Sequence, residues 1–277
     1  MKLYDFDGMF DEKLTEYIRK NKQKYSESEW EDIIPKLYKS FGDTFIKSVG
    51  DTPNGFYSKL SDEQLVSALS AHIKNGVPVS EFMASAIESR NAVNLLLPLL
   101  DGSDKEREFA VGLIGSDDRA IKKYMDMLVS SDADGDLKNK CLDLIKEKAD
   151  LVLNEAVENY ENSVARDYML EIMSRSVIHT DKVFDILVKA FRGDNENLPL
   201  YASYLASYGD ERALPYLLDR IDEEGLSFIE YKELLLAIES LGGTYEKQRD
   251  FSSDPDYALI KSHSASAADI FGGIDKK

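Results

Sequence analysis

Apolar positions recur every three to four residues along nearly the whole chain, and strict alternation is scarce. That periodicity predicts helices and leaves little room for strands. The spacing of Leu14, Tyr17 and Ile18 predicts a first helix over about 11–24. A second starts near Ser26, where Ser26 and Glu29 have the spacing of a capping box, and it carries Trp30, Ile33, Ile34, Leu37, Tyr38 and Phe41. Pro35 inside that run is expected to kink or restart it, because proline lacks the donor amide. Gly50 to Gly55 reads as a loop from its turn residues. Ser61 and Gln64 form another capping box, for a helix through about Lys74 with Leu65, Ala68, Leu69 and His72 in line. Asn75-Gly76-Val77-Pro78 ends it, and Ser80 is expected to cap a short helix to Ser89.

From residue 90 the pattern repeats. Each unit opens on a turn and enters a helix at Val93, Ile121, Leu151, Val183 or Leu214, positions separated by 28, 30, 32 and 31 residues. A second apolar stripe follows each: Phe109, Ala110, Leu113 and Ile114; Leu137, Cys141, Leu142 and Ile145; Ala165, Tyr168, Met169 and Ile172; Tyr201, Tyr204, Leu205 and Tyr208; Tyr231, Leu234, Leu235, Ile238 and Leu241. A period near 30 suits two short helices and two turns. One such pair cannot bury its stripe alone, so neighbours are expected to stack.

The run from Gly209 through Asp210, Arg212, Ala213, Leu214 and Pro215, with its helix ending at Leu241-Gly242-Gly243, resembles the HEAT-like repeat of the PBS-lyase type. Asp118, Arg119 and Ala120 echo it, as do Arg90, Ala92 and Pro98 more distantly. The resemblance covers about residues 90–245. It implies an all-α, α-α superhelix of about five helix pairs, in which Asp210 and Arg212 tie adjacent turns together. The expected organisation is a helical subdomain over 1–90, repeats over 91–246, and a tail over 247–277 that is either loosely ordered or caps the last repeat. HEAT-like folds include DNA glycosylases with a basic concave surface, and bilin lyases.

Charge narrows these options. The chain has 52 acidic and 34 basic residues, a formal charge of −18. Residues 91–247 hold 32 acidic and 18 basic side chains. Nucleic-acid affinity rests largely on Lys and Arg displacing counterions, so no nucleic-acid partner is expected, and anionic membranes are equally disfavoured. The acidity suits a basic protein partner and suits solubility alone. Residues 1–10 carry Asp5 and Asp7 and no apolar run, which is unlike a secretory signal. The expected location is cytoplasmic.

Candidate chemistry is sparse. His72, His179 and His263 lack Cys or His partners at ligand spacing. Cys141 lies on an apolar face as a structural thiol. The run Asp132-Ala133-Asp134-Gly135-Asp136 fails the calcium-loop pattern, which needs Gly at its sixth position and Glu at its twelfth. No phosphate loop or nucleophile elbow is present. No catalytic residue, cofactor or metal ligand is therefore assigned. Two surface features are candidates for partner binding: the tyrosines Tyr201, Tyr204, Tyr208 and Tyr216, which suit either an interface or the seam between repeats, and the acidic run Asp219, Asp222, Glu223, Glu224, Glu230 and Glu233. The expected function is a protein-binding scaffold or adaptor without catalysis of its own. The alternatives are an enzyme or enzyme accessory with a small-molecule site between the N-terminal helices and the first repeats, and a structural or oligomer-forming module.

Overall fold

The computed structural model describes residues 2–193 and 196–261. Among these the chain is all-helical: fifteen α-helices and three short 3-10 segments lie between Phe6 and Ser240, and a further helical stretch covers 255–261. The nearest approach to a strand is one antiparallel bridge between Ile46 and Asp51. The expected His263 and the apolar residues Ile270 and Phe271 of the tail lie outside the described residues. Contacts divide the chain into an N-terminal unit, running to Lys123 and taking in Asp132–Cys141, and a C-terminal unit of Tyr124–Ser131 and the described residues from Leu142 onward.

The N-terminal unit opens with α1 (Phe6–Asn21), five residues earlier than the apolar spacing suggests. Asp5 accepts a hydrogen bond from the Gly8 amide at 2.8 Å and so caps the helix. A Cβ at position 8 would stand 2.6 Å from Asp5 Oδ2, so glycine makes room for that carboxylate. In α2 (Glu27–Gly42) the Ser26–Glu29 capping box is present, and the helix runs unbroken through Pro35. The helix does not restart at Pro35, which lies on the exposed face, where the carbonyl freed one turn earlier can be met by water. After α3 (Pro53–Ser58) comes α4 (Asp62–Asn75), again with its capping box, closed by Gly76 in the left-handed conformation. α5 (Glu81–Glu88) follows Ser80 as expected, yet the Ser80 hydroxyl makes no capping bond and is buried without a partner. α6 (Val93–Leu96) is short and passes at once into a 3-10 turn, Leu97–Asp101, begun by Pro98. α7 (Asp104–Ile114) starts on a reciprocal Ser103–Glu106 box.

Aromatic rings form the core of this unit. Phe6 and Tyr57 are fully buried with centroids 5.6 Å apart, and Phe10 packs on Phe41 at 5.5 Å. Arg90 locks the turn after α3. Its guanidinium donates to the carbonyls of Leu60 (2.5 Å), Ser58 (3.0 Å) and Tyr57 (3.4 Å), and to Asp62 Oδ1 (3.0 Å). A cation thus meets the unsatisfied carbonyls at a helix end.

α8 (Asp118–Val129) and α9 (Gly135–Lys146) each carry residues of both units. In the C-terminal unit, α10 (Leu153–Glu161) packs on α11 (Arg166–Ser174), α12 (Asp181–Gly193) on α13 (Leu198–Tyr208), and α14 (Leu214–Ile221) on α15 (Phe228–Ser240). The second helices of these pairs also touch in succession, α11 on α13 and α13 on α15. One helix entry differs from the expected register. Leu151 is 55% exposed within a 3-10 turn, Ala149–Val152, and the buried residue is Val152. With Val152 in place of Leu151, the helix-entry positions 121, 152, 183 and 214 are each 31 residues apart. The stripe of α11 shifts likewise: Ala165 precedes the helix with φ +47°, and Met169, Leu170, Ile172 and Met173 are buried.

The segment after α15 packs on α14 and α15 as far as Tyr257. Tyr231 donates its hydroxyl to Lys247 O at 2.7 Å. Phe251 and Tyr257 set their rings 5.4 and 4.9 Å from Phe228, and the Phe228 amide donates to Asp254 at 3.0 Å. Arg249 donates to the carbonyls of Ile221 and Glu223, repeating at the end of α14 what Arg90 does after α3.

Candidate interaction surfaces

Spacings of three and four along α13 place Tyr201, Tyr204 and Tyr208 on one face, and all three are buried. Tyr201 and Tyr204 lie 6.0 Å apart. Burial, with the Glu171 carboxylate nearby, pushes the Tyr204 phenol well above its usual range. Tyr208 accepts a hydrogen bond from the Thr180 amide at 2.7 Å, and its ring meets that of His179 at 4.5 Å. These three rings are core residues, and Tyr208 holds the turn before α12. Tyr216, on α14, is half-buried beside Phe184 and under the Arg192 guanidinium.

Much of the acidic run is engaged by the chain itself. Asp222 accepts from the Tyr245 hydroxyl (2.6 Å) and from Lys247 Nζ (2.7 Å), and these bonds hold its carboxyl below the usual range. Glu223 pairs with Arg220. Glu230 accepts from the Ser227 amide at 2.7 Å and completes the cap of α15. Asp219 and Glu224 are exposed, and Glu233 is half-buried.

The turns between helix pairs are tied to their neighbours. Asp210 accepts from Arg212 N and Nε at 3.0 Å, while Arg212 Nη1 reaches Asp181 at 2.7 Å. Arg119 does the same in the N-terminal unit, gripping Asp117 (2.8 Å) and reaching Asn94 (2.9 Å). The acidic partner of Arg119 is thus Asp117, two residues before it, rather than Asp118; the Asp-x-Arg spacing matches Asp210 and Arg212. The ion pairs Lys146–Glu171, Lys182–Glu161, Arg212–Asp181 and Lys247–Asp222 join residues 25, 21, 31 and 25 apart.

Arg212 beside Asp210 holds that carboxyl below its usual range. A folded-state pKa below the unfolded value contributes stability above the ordinary carboxylate range, near about 4, and loses it as pH falls through the folded value. Asp210→Asn should therefore cost about 1–2 kcal/mol at pH 7, with the gap from wild type narrowing as pH drops below about 4. Urea titrations across that range measure this, and a gap independent of pH would place the effect in packing instead.

One turn exposes apolar residues on a rigid frame. Asp150 Oδ1 accepts from Ser176 Oγ (2.6 Å) and from the Val177 amide (3.0 Å). Ser176 is buried, whereas Val177 is 80% and Ile178 47% exposed, close to exposed Leu151 on the tied turn. A groove of about 460 Å³ on the same unit is lined by Leu153, Val157 and Val183 together with Glu158, Glu161 and Lys182. Sequence periodicity does not flag this ridge, because Leu151 reads as a core position.

Other candidate groups have structural settings. The His72 ring is buried with Nδ1 2.8 Å from Pro78 O. Burial pushes the Cys141 thiol up to about 12, which keeps it protonated. Asp132 accepts from Arg107, and Asp134 caps the Leu137 amide. Among the described residues no group of three or more His, Cys, Asp or Glu is arranged around a metal site, and no helix is long and apolar enough to cross a membrane. Comparison of the chain with protein-family models, with curated proteins and with solved structures finds no match.

Proposed function

We propose that the chain is a HEAT-like α-solenoid that acts as a protein-binding scaffold, with the Leu151–Val177–Ile178 ridge as its docking surface. The repeat reading draws its support from the 31-residue spacing of the helix-entry positions Ile121, Val152, Val183 and Leu214, the first three of them buried, and from ties such as Arg212–Asp181 and Asp150–Ser176 between successive turns, the pattern of a stack in which each repeat contacts the next. The scaffold reading rests above all on the ridge. Three apolar side chains held in water by a buried serine and a carboxylate lose little freedom on docking, and such pre-ordered anchors favour binding. Glu158 on the same unit, with Asp219 and Glu224 elsewhere on it, steers a basic polypeptide toward the ridge, while Glu161 is paired with Lys182.

Leu151→Ser with Val177→Ser should leave stability within about 0.5 kcal/mol and weaken a polypeptide partner purified from the native cell at least about tenfold. Affinity should also fall modestly with salt. Undiminished binding by the double variant would move the docking surface elsewhere. Failure to find any stoichiometric polypeptide partner would remove the scaffold reading.

A further inference from the structure

The N-terminal unit contains a cavity of about 590 Å³ that the ridge and the turn ties do not involve. Its walls combine aromatic and aliphatic side chains with Lys39, Asn54, Glu81 and Ser85. Tyr38 and Phe82 stack with centroids 4.6 Å apart and planes 10° off parallel, and Phe10 meets Tyr38 edge-on at 4.9 Å. Ile34 and Pro35 extend the wall along α2, on the face that Pro35 leaves free of a helix amide donor. Tyr38 donates its hydroxyl to Asp7 at 2.6 Å, so the phenol is fixed and turned to a partner of its own.

Two exposed charges of opposite sign line the same cavity, Lys39 from α2 and Glu81 from the start of α5. Neither side chain takes part in an ion pair among the described residues, and the Glu81 backbone and carboxylate lie near the Tyr38 hydroxyl. Their companions around the rings are committed: Asp7 to Tyr38, and Asp43 to Asn54 at 2.8 Å. Aromatic walls with a few convergent polar groups in this size range are the usual form of a small-molecule site.

We propose that this cavity binds a small zwitterion with a large apolar side chain, its carboxylate on Lys39 and its ammonium on Glu81, with the side chain against Phe10, Tyr38 and Phe82. A single anion or a single cation would leave one of the two charges facing a like-charged or uncharged group, so the pair favours a ligand carrying both. A free α-amino acid and a short apolar peptide share this chemistry. The site does not depend on the scaffold reading and stands or falls separately from it.

Full-length protein titrated by calorimetry and by NMR tests the site with four probes: L-phenylalanine, the dipeptide Phe-Leu, 3-phenylpropionate without the ammonium, and phenethylamine without the carboxylate. One or both zwitterions should bind, shifting the ring signals of Phe10, Tyr38 and Phe82, and each singly charged analogue should bind about fivefold more weakly. The stronger of the two zwitterions identifies the source. Lys39→Gln should weaken the zwitterion about fivefold and leave phenethylamine unchanged, and Glu81→Gln should spare 3-phenylpropionate instead. Both positions are exposed, so both variants should keep the wild-type melting curve. Ring signals that stay unmoved by all four compounds, or zwitterion binding indifferent to both substitutions, would overturn the assignment.

Discussion

Tyr208→Ala is expected to lower the stability of the C-terminal unit by about 3–5 kcal/mol, the range for truncating a large core ring. Tyr208 is 2% exposed at the end of α13, just before Gly209, whose φ of +74° turns the chain toward α14. Its ring fills space beside His179, and its hydroxyl holds the Thr180 amide 28 residues earlier. Alanine removes both the filling and the tie. Tyr208→Phe separates them: it keeps the ring and loses one acceptor, for about 1 kcal/mol. Hydrogen exchange at the Thr180 amide should quicken in both variants, while urea unfolding should be strongly shifted only by alanine. Equal losses in the two variants would assign the effect to the hydroxyl, and a loss below about 1 kcal/mol for alanine would contradict close packing at this seam.

The second large effect is expected at Arg90. Arg90→Ala removes the guanidinium donor from the Leu60 and Ser58 carbonyls and from Asp62, while Tyr57 O keeps the Leu60 amide at 3.2 Å, and should cost about 2–3 kcal/mol, since hydrogen bonds from a charged group are at the strong end and the helix end keeps its unmet acceptors. Asp62→Ala should cost well under about 1 kcal/mol, because that ion pair is partly open to water. Arg90→Lys should recover only part of the loss, since an ammonium cannot serve several acceptors in the fixed fork of a guanidinium. Denaturant midpoints of the three variants measure the order. If Asp62→Ala matched Arg90→Ala, the ion pair rather than the carbonyl clamp would hold the turn.

The same two residues show where sequence reasoning stops. Tyr208 is visible as a member of a stripe, but a stripe alone does not say whether it faces another helix or a partner. The turn before α12 decides that: His179 lies against the ring, and Thr180 meets the hydroxyl. Arg90 looks like the opening of a repeat; its acceptors are backbone carbonyls, which every residue carries and no side-chain pattern marks. The acidic run Asp222, Glu223 and Glu230 reads as free charge, yet its partners Lys247, Arg220 and the Ser227 amide are found only by folding. Pro35 illustrates the reverse: a strong local signal for a break is overridden because the freed carbonyl stays on a wet face.

What the sequence by itself determined is the class of the fold. A 3.6-residue rhythm of apolar positions, with serine caps answered three residues later by Glu or Gln, requires helices wherever it runs, because local hydrogen bonding and one buried face suffice to form them. What only the tertiary structure decided is phase and exposure. The 3-10 turn at Ala149–Val152 rotates the chain by a single position, burying Val152 and lifting Leu151 into water. That rotation comes from ties such as Asp150 to Ser176 and Val177, made between residues 26 and 27 apart. Burial is a property of the neighbour that covers a side chain, and for this protein that neighbour lies one helical hairpin away.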